Sequence, residues 1–526
     1  MHFCLTTYSK KTIVIMEQLK DNIAIAPFMG DNKQLSVGLN PLGMRTASEQ
    51  LFTTLLPGMN VVTLRIRYYS FYCWLLSCFY ANRLKANRSE LQRHIRMSEL
   101  LMALIHAQST QSGGVPGITR ALTIVTKGES VIDFNEDAMP GGKPIGGYWK
   151  GQYGAFGTYY AASLQEMGII APLADNQSLY NVTPKNDEYI SGAELAEAFA
   201  NSVGKDMALL FCSCAAKGVV TSDELAALEP YFQSHNMPET PERDLLLKMI
   251  LQNDRPASLV ESTFRKNTLR LLLTFVRDKV SDDFSELEFA RFVYDQHHQD
   301  KENSTAAVGW YAYYLNDSRQ FQALNIFDEV LNRLPTSEKP GQWENIDEFT
   351  TNLAEEVGEA FHAYDKTVKE VIDSWDSLLE PDDKMAHAFY IILDDFRRNP
   401  QYVSRKSVVK TFFRGVSNDA LDSFDVLECH IDVPFTKYIK DYLTENIIYN
   451  HYSESMRKYS QNGIPTQKLA IENGYVRGLS TYAATHSSPR IDTLRNYATD
   501  LGLIVNNKIS PEGVKLLEEL QNDRTK

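Results

Sequence analysis

Two arginines followed at once by tyrosines, Arg65, Arg67, Tyr68 and Tyr69 with Tyr72 one helical turn on, are the residues of this chain best suited to chemistry. They lie in residues 55–74, LLPGMNVVTLRIRYYSFYCW, a stretch otherwise almost entirely apolar. A guanidinium is costly to bury there unless it is paired. Arg65 and Arg67 must therefore find carboxylates, carbonyls or a bound anion. Two outcomes are open: an ion pair that locks the N-terminal domain, or a phosphate or nucleic-acid contact with the tyrosines as stacking partners.

A basic stretch follows, with Arg83, Lys85, Arg88, Arg93 and Arg96 and Glu90 as the only acid among them. Arg88 and His94 have roughly the arginine-to-histidine spacing that some helical ribonucleases place at a scissile phosphate, which would make them a general acid–base pair. His297-His298, beside Asp295 and Asp300, are candidate metal ligands, but adjacent histidines point apart on a helix. Asp382-Asp383 and Asp394-Asp395 lack the partner pattern of a two-metal nuclease. The glycines of residues 109–157 carry no P-loop order, and GxSxG, HExxH, kinase and Rossmann signatures are missing. The chain reads as non-enzymatic, with no catalytic residue, metal or cofactor expected.

Near the C-terminus, Ser488-Pro489 opens a helix in which Ile491, Leu494, Tyr497-Ala498 and Leu501 form one apolar stripe. Pro489 suits the first turn of a helix. The opposite face presents Arg490, Thr493, Arg495, Asn496 and Thr499. Leu503–Val505 and Lys508–Ile509 pair across Asn506-Asn507, and a last helix turns Leu516, Leu517 and Leu520 inward. Recognition-type helix, wing and terminal helix is the order of a winged-helix module, which would set Arg490, Thr493, Arg495, Asn496 and Lys508 against DNA. Asp492 and Asp500 dilute that charge, so protein docking is the competing role.

The elements that must position these groups are mostly helical. One helix is expected from near Thr46 to Leu56, stopped by Pro57-Gly58. A second, over residues 61–84, is apolar around nearly its whole circumference and so belongs in the interior. Residues 156–167 read as helix, Gly168-Ile169-Ile170 and 179–182 as a hairpin, and a further helix starts near Ser191: a looser winged-helix-like copy. Residues 205–450 alternate helical periodicity with prolines and show no fixed repeat. Asn473-Gly474 between alternating runs marks a hairpin with a type I′ turn. The fold class expected is mainly α, a multidomain helical protein with two winged-helix-like elements. Its domains are residues 1–108, the Gly-rich 109–204, an irregular bundle over 205–450, and a module over 451–526.

A chain of 526 residues exceeds a single core, which stops growing near roughly 250–300. With 43% hydrophobic and 23% charged residues it is globular in composition, and a formal charge of -14 excludes a uniformly basic nucleic-acid binder. Six cysteines in so long a chain form no disulfide framework. The N-terminus lacks a continuous apolar signal segment, and Met16 is an alternative start to Met1. Residues 68–81, the longest apolar run, fall short of the roughly 20 that span a bilayer. A cytoplasmic address without membrane contact follows as an expectation.

Residues 55–74 carry one resemblance. The pattern LLPG, a short gap, then T-x-R-x-RYY-x-F-x-x-W resembles the start of uncharacterised bacterial proteins found among phage-defence genes. The likeness extends to residues 157–170 and 494–504. It implies a component of an anti-phage system acting in a multi-subunit assembly, with protein partners and DNA as a possible one. It implies no active site. The alternatives are a helical ribonuclease-type effector using Arg88 and His94, and a winged-helix transcriptional regulator.

Overall fold

In a computed structural model, residues 40–81, 87–109, 113–140, 149–254, 263–279, 284–335, 343–400, 409, 412, 419–463 and 465–522 are described. The protein is mainly α, and its strands form only small antiparallel sheets. The chain gathers into two compact units, each discontinuous in sequence. One comprises Phe52–Tyr311 with Ser488–Lys526, and we call it the motif unit; the other takes the described residues of Met1–Leu51 with Ala312–Ser487. No helix among the described residues is long and apolar enough to cross a membrane.

At the centre of the motif unit runs the helix Arg67–Tyr80, buried from Arg67 through Leu76 and again at Phe79. It begins six residues later than its apolar content suggests. Thr63 ends the preceding segment as a turn, its hydroxyl accepting from the Asn60 amide and its amide donating to the Asn60 carbonyl. Such local bonds compete with helix formation. The helix Arg88–His106 joins the basic stretch and the apolar run 100–107 into one element, capped by Asn87. Helix Gly192–Val203 starts on a reciprocal capping box between Ser191 and Glu194. The hairpin Ile170–Pro172 with Tyr180–Val182 precedes it, as read from the sequence.

The C-terminal segment adds helix Ile491–Asp500, the hairpin Ile504–Val505 with Lys508–Ile509, and helix Pro511–Asn522. Asn506 and Asn507 both have positive φ, as a type I′ turn requires. Ile491, Leu494, Tyr497, Ala498 and Leu501 are all buried, so the apolar stripe is correct. Its start is not where Pro489 placed it. Arg490 takes a left-handed conformation, φ 68°, and the helix begins after it.

In the second unit a continuous apolar core collects side chains from the helices Thr305–Arg333, Ile346–Ala360, Lys384–Arg398 and Phe435–Asp441. Its three-stranded sheet pairs Glu344–Asn345 and Leu469–Glu472 on either side of Tyr475–Gly478. Asn473 and Gly474 both have positive φ at the hairpin turn.

Candidate functional site

Arg67 enters the interior and meets Glu242, whose carboxylate accepts from both Nε and Nη2 at 3.1 Å. The third guanidinium nitrogen donates to the Gln233 carbonyl, and the Ser70 hydroxyl donates to Glu242 Oε1 at 2.6 Å. Both side chains are almost wholly buried, 4% exposed for Arg67 and 0% for Glu242. Glu242 stands in the first turn of helix Pro241–Leu251, where the helix dipole favours a carboxylate. Arg65 donates to Asp500 Oδ1 at 2.7 Å and to the Gly113 carbonyl at 2.9 Å. Of the two outcomes open for these arginines, internal pairing is the one formed.

The tyrosines are structural for the same reason. Tyr68, Tyr69 and Tyr72 have no exposed surface, so Tyr68 and Tyr69 present no face to a nucleobase. Tyr68 stacks on Tyr160 at 5.4 Å, and Tyr72 donates to Glu99. Tyr69 donates to the Gly58 carbonyl. The Tyr497 hydroxyl bonds the Thr63 carbonyl and lies 3.1 Å from that of Tyr69.

Backbone carbonyls of the LLPG turn are bonded one after another. Leu55 accepts from Thr268, Pro57 from Arg265, Gly58 from Tyr69, Met59 from Arg490 and Asn60 from Thr493. Buried carbonyls need such partners. Here they come from the Arg67–Tyr80 helix, the Phe264–Asp278 helix and the C-terminal segment, which are far apart in sequence. The motif is a hub that collects three regions of one unit.

Arg490 and Thr493 are thereby removed from the face assigned to DNA. Arg490 also lies over the Phe52 ring at 4.9 Å, and Thr493 is 1% exposed. The left-handed turn at Arg490 is what swings its side chain toward the motif. Arg495 is held by Asp492 and Asn507 and lies over Phe284. Asn496 is half-buried, and Lys508 is exposed on the hairpin. In the basic stretch Arg93 donates to Asn135, and Arg88 is exposed beside Tyr153. Arg83 lies outside the described residues. His94 bonds the Leu75 carbonyl and packs on Phe79. Six residues apart on one helix, Arg88 and His94 point roughly 120° apart, so no acid–base pair is assembled.

The buried groups that sequence reading missed are Glu99, Glu242 and the partnering role of Asp500. Glu99 accepts from Tyr72 and from the amides of Ala155 and Phe156, and a Cβ at Gly154 would lie 2.1 Å from its Oε2. Burial raises its pKa to about 8, against those donors and Arg96. Burial likewise raises Asp500 to about 7, with Arg65 opposing. His106 and His235 are pushed down to about 4, chiefly by burial. A carboxylate in the last turn of a helix opposes the dipole, and Asp500 was legible as an anomaly on that ground.

These shifts set a pH dependence. The acids, with ordinary values of 4.5 and 3.8, hold protons more tightly when folded, so their contribution is full below those values. It is lost as pH rises toward 7–8. The histidines, with an ordinary value of 6.5, contribute fully above it and lose their contribution as pH falls toward 4. Between these limits the two pairs oppose each other; above pH 6.5 only the acids act. Thermal melts are expected to show a lower Tm at pH 8 than at pH 6.5, with a shallower decline in Asp500→Asn. Equal wild-type melting temperatures at the two pH values would show that these acids are not held in the interior.

No group of three His, Cys, Asp or Glu among the described residues is arranged to hold a metal. His297 bonds the Glu302 carbonyl and His298 stacks on Tyr294. In the second unit a cavity of about 20 Å³ beside Asp395 and Arg319 has room for one water. Comparison with protein families, with characterised proteins and with solved structures gave no match.

Proposed function

We propose that this chain is a non-enzymatic binding subunit of a multi-protein assembly, in the anti-phage setting that its resemblance to phage-defence proteins implies. The supporting observation is the C-terminal helix–hairpin–helix, read here as a winged-helix-like docking module. Its helix is tied into the motif unit by Arg490, Thr493, Tyr497 and Asp500, whereas the hairpin tip Val505-Asn506-Asn507-Lys508 is exposed. Val505 is 51% exposed, an apolar side chain beside a cation at the end of a two-stranded ribbon. That composition suits a protein surface. A DNA contact would have to rely on Arg495, Asn496 and Lys508 with the Arg88–Arg93 surface, because Arg490 and Thr493 face inward.

The test is capture from a native host with wild-type protein and the double variant Val505→Asp, Lys508→Glu, each with and without nuclease. Nuclease-resistant protein partners are expected with the wild type and are expected to be lost with the variant. Identical sets of partners from both would remove the hairpin as the docking surface. A duplex or single-strand shift that weakens steeply with salt would instead favour the DNA reading.

A further inference from the structure

We propose that the cavity beside Asp395 and Arg319 in the second unit binds one small monovalent anion, of the size of chloride. Its volume of about 20 Å³ exceeds the roughly 10–15 Å³ that a single water needs, so one ion slightly larger than water fits. Helix Thr305–Arg333 brings Arg319 to its wall, and Lys384–Arg398 brings Asp395. Ala420–Cys429 brings Ser423, and Phe435–Asp441 brings Tyr438. Tyr442 and Asn446 come from Tyr442–Tyr449, a π-helix whose wide turn puts both on one face. Such turns are frequent at functional sites. The remaining wall is apolar.

The polar groups on this wall are donors. Arg319, 5% exposed, carries a fixed positive charge that repels a cation and attracts an anion. Tyr438 is 3% exposed, and its ring centroid lies 6.2 Å from that of Tyr442. Its hydroxyl has no hydrogen-bond partner among the described residues, and burial pushes it up, so it stays protonated. A buried hydroxyl requires a partner. Ser423 and Asn446, whose side chains also make no hydrogen bond among the described residues, are partly exposed and give an ion access from solvent. Guanidinium, phenol, hydroxyl and amide groups converging on a space of ionic size supply the hydrogen bonds an anion needs.

Asp395 sets the pH at which the anion enters. The Ser318 hydroxyl donates to its Oδ2 at 2.7 Å, and no described residue bonds its Oδ1. Arg319, Tyr438 and Tyr442 share the cavity wall with it, Asp394 and Arg398 flank it on its own helix, and the charge of Arg319 also acts on Asp419. Burial raises the Asp395 carboxyl from 3.8 to about 7; Asp394 adds to the shift, and Ser318 and Arg398 oppose it. Below that pH the carboxyl is neutral and donates its own proton, so the Arg319 charge dominates the wall. Above it the carboxylate repels an anion. Each anion is therefore taken up with a proton.

The test follows chloride line broadening by nuclear magnetic resonance in the full-length protein, dialysed into sodium gluconate and titrated with sodium chloride at constant ionic strength. Saturable binding is expected at pH 6. It is expected to weaken about tenfold by pH 8, the ratio of the protonated fractions of a group that titrates at about 7. Tyr438→Phe, which removes one donor, is expected to weaken binding several-fold at pH 6. Asp395→Asn keeps a neutral group of the same shape at both pH values and is expected to make the affinity independent of pH. Circular dichroism checks that each variant folds, and either one alone decides the matter. Broadening that does not saturate, or that a folded Tyr438→Phe or Asp395→Asn leaves unchanged in strength and pH dependence, would overturn the proposal and leave the cavity to water.

Discussion

Glu242→Ala is expected to destabilise the motif unit by about 3–5 kcal/mol, the cost of breaking a buried ion pair from one side. The residue makes no contact with solvent, and Arg67 is 4% exposed, so the guanidinium left behind has no water to turn to. Its Nη1 keeps the Gln233 carbonyl, but Nε and Nη2 lose their acceptor, and Ser70 loses one of its two. Urea denaturation should show a strongly lowered midpoint. The double substitution Arg67→Met, Glu242→Leu removes both charges and is expected to regain much of the loss, because a buried pair has little advantage over well-packed apolar groups. A cost for Glu242→Ala below about 1 kcal/mol would mean that Arg67 reaches solvent. The motif would then be available to an anion after all.

Truncation after Ser487 is expected to have a larger effect still, abolishing cooperative unfolding of the motif unit. The deleted segment buries Ile491, Leu494, Tyr497, Leu501, Leu503, Ile504 and Leu517, each worth roughly 1.5–3 kcal/mol in removal from water. It also supplies the donors to Met59, Asn60 and Thr63 and the carboxylate to Arg65. Their loss leaves buried carbonyls and a cation unsatisfied, which adds to the apolar cost. Amide exchange over the Arg67–Tyr80 helix is the readout, and protection there is expected to fall to that of a locally unfolded segment. An unchanged midpoint and unchanged protection would mean that the C-terminal segment is an independent module, loosely attached.

Several local signals in the sequence are borne out by the structure. Asn473-Gly474 and Asn506-Asn507 made their turns because both residues tolerate positive φ. Ser191 with Glu194 made its cap, and the all-apolar helix went to the interior. What a linear reading could not show is which distant residue answers each buried charge. Arg67 and Glu242 are 175 positions apart, and Arg65 and Asp500 are 435. The demand for a partner was legible from burial energetics; the partner was not, because Glu242 looks like an ordinary first-turn acid and the misplaced acid Asp500 does not name the cation it answers. Periodicity gives a helix its stripe but neither its starting residue nor how far burial spreads along the flank. The left-handed Arg490 moved that start past Pro489, and its side chain bonds the Met59 carbonyl; Thr493, inside the helix at the flank of the stripe, bonds that of Asn60.

The tie between the Arg-Tyr motif and the C-terminal segment is the central claim, and a double-mutant cycle on Arg65→Ala and Asp500→Ala measures it most directly. With both single variants and the double variant unfolded in urea at pH 8, the expected coupling is at least about 1 kcal/mol, the double variant losing less than the sum of the singles. Additivity within about 0.3–0.5 kcal/mol is the behaviour of residues that do not touch. It would contradict the claim and return Arg65 to the surface as a candidate anion contact.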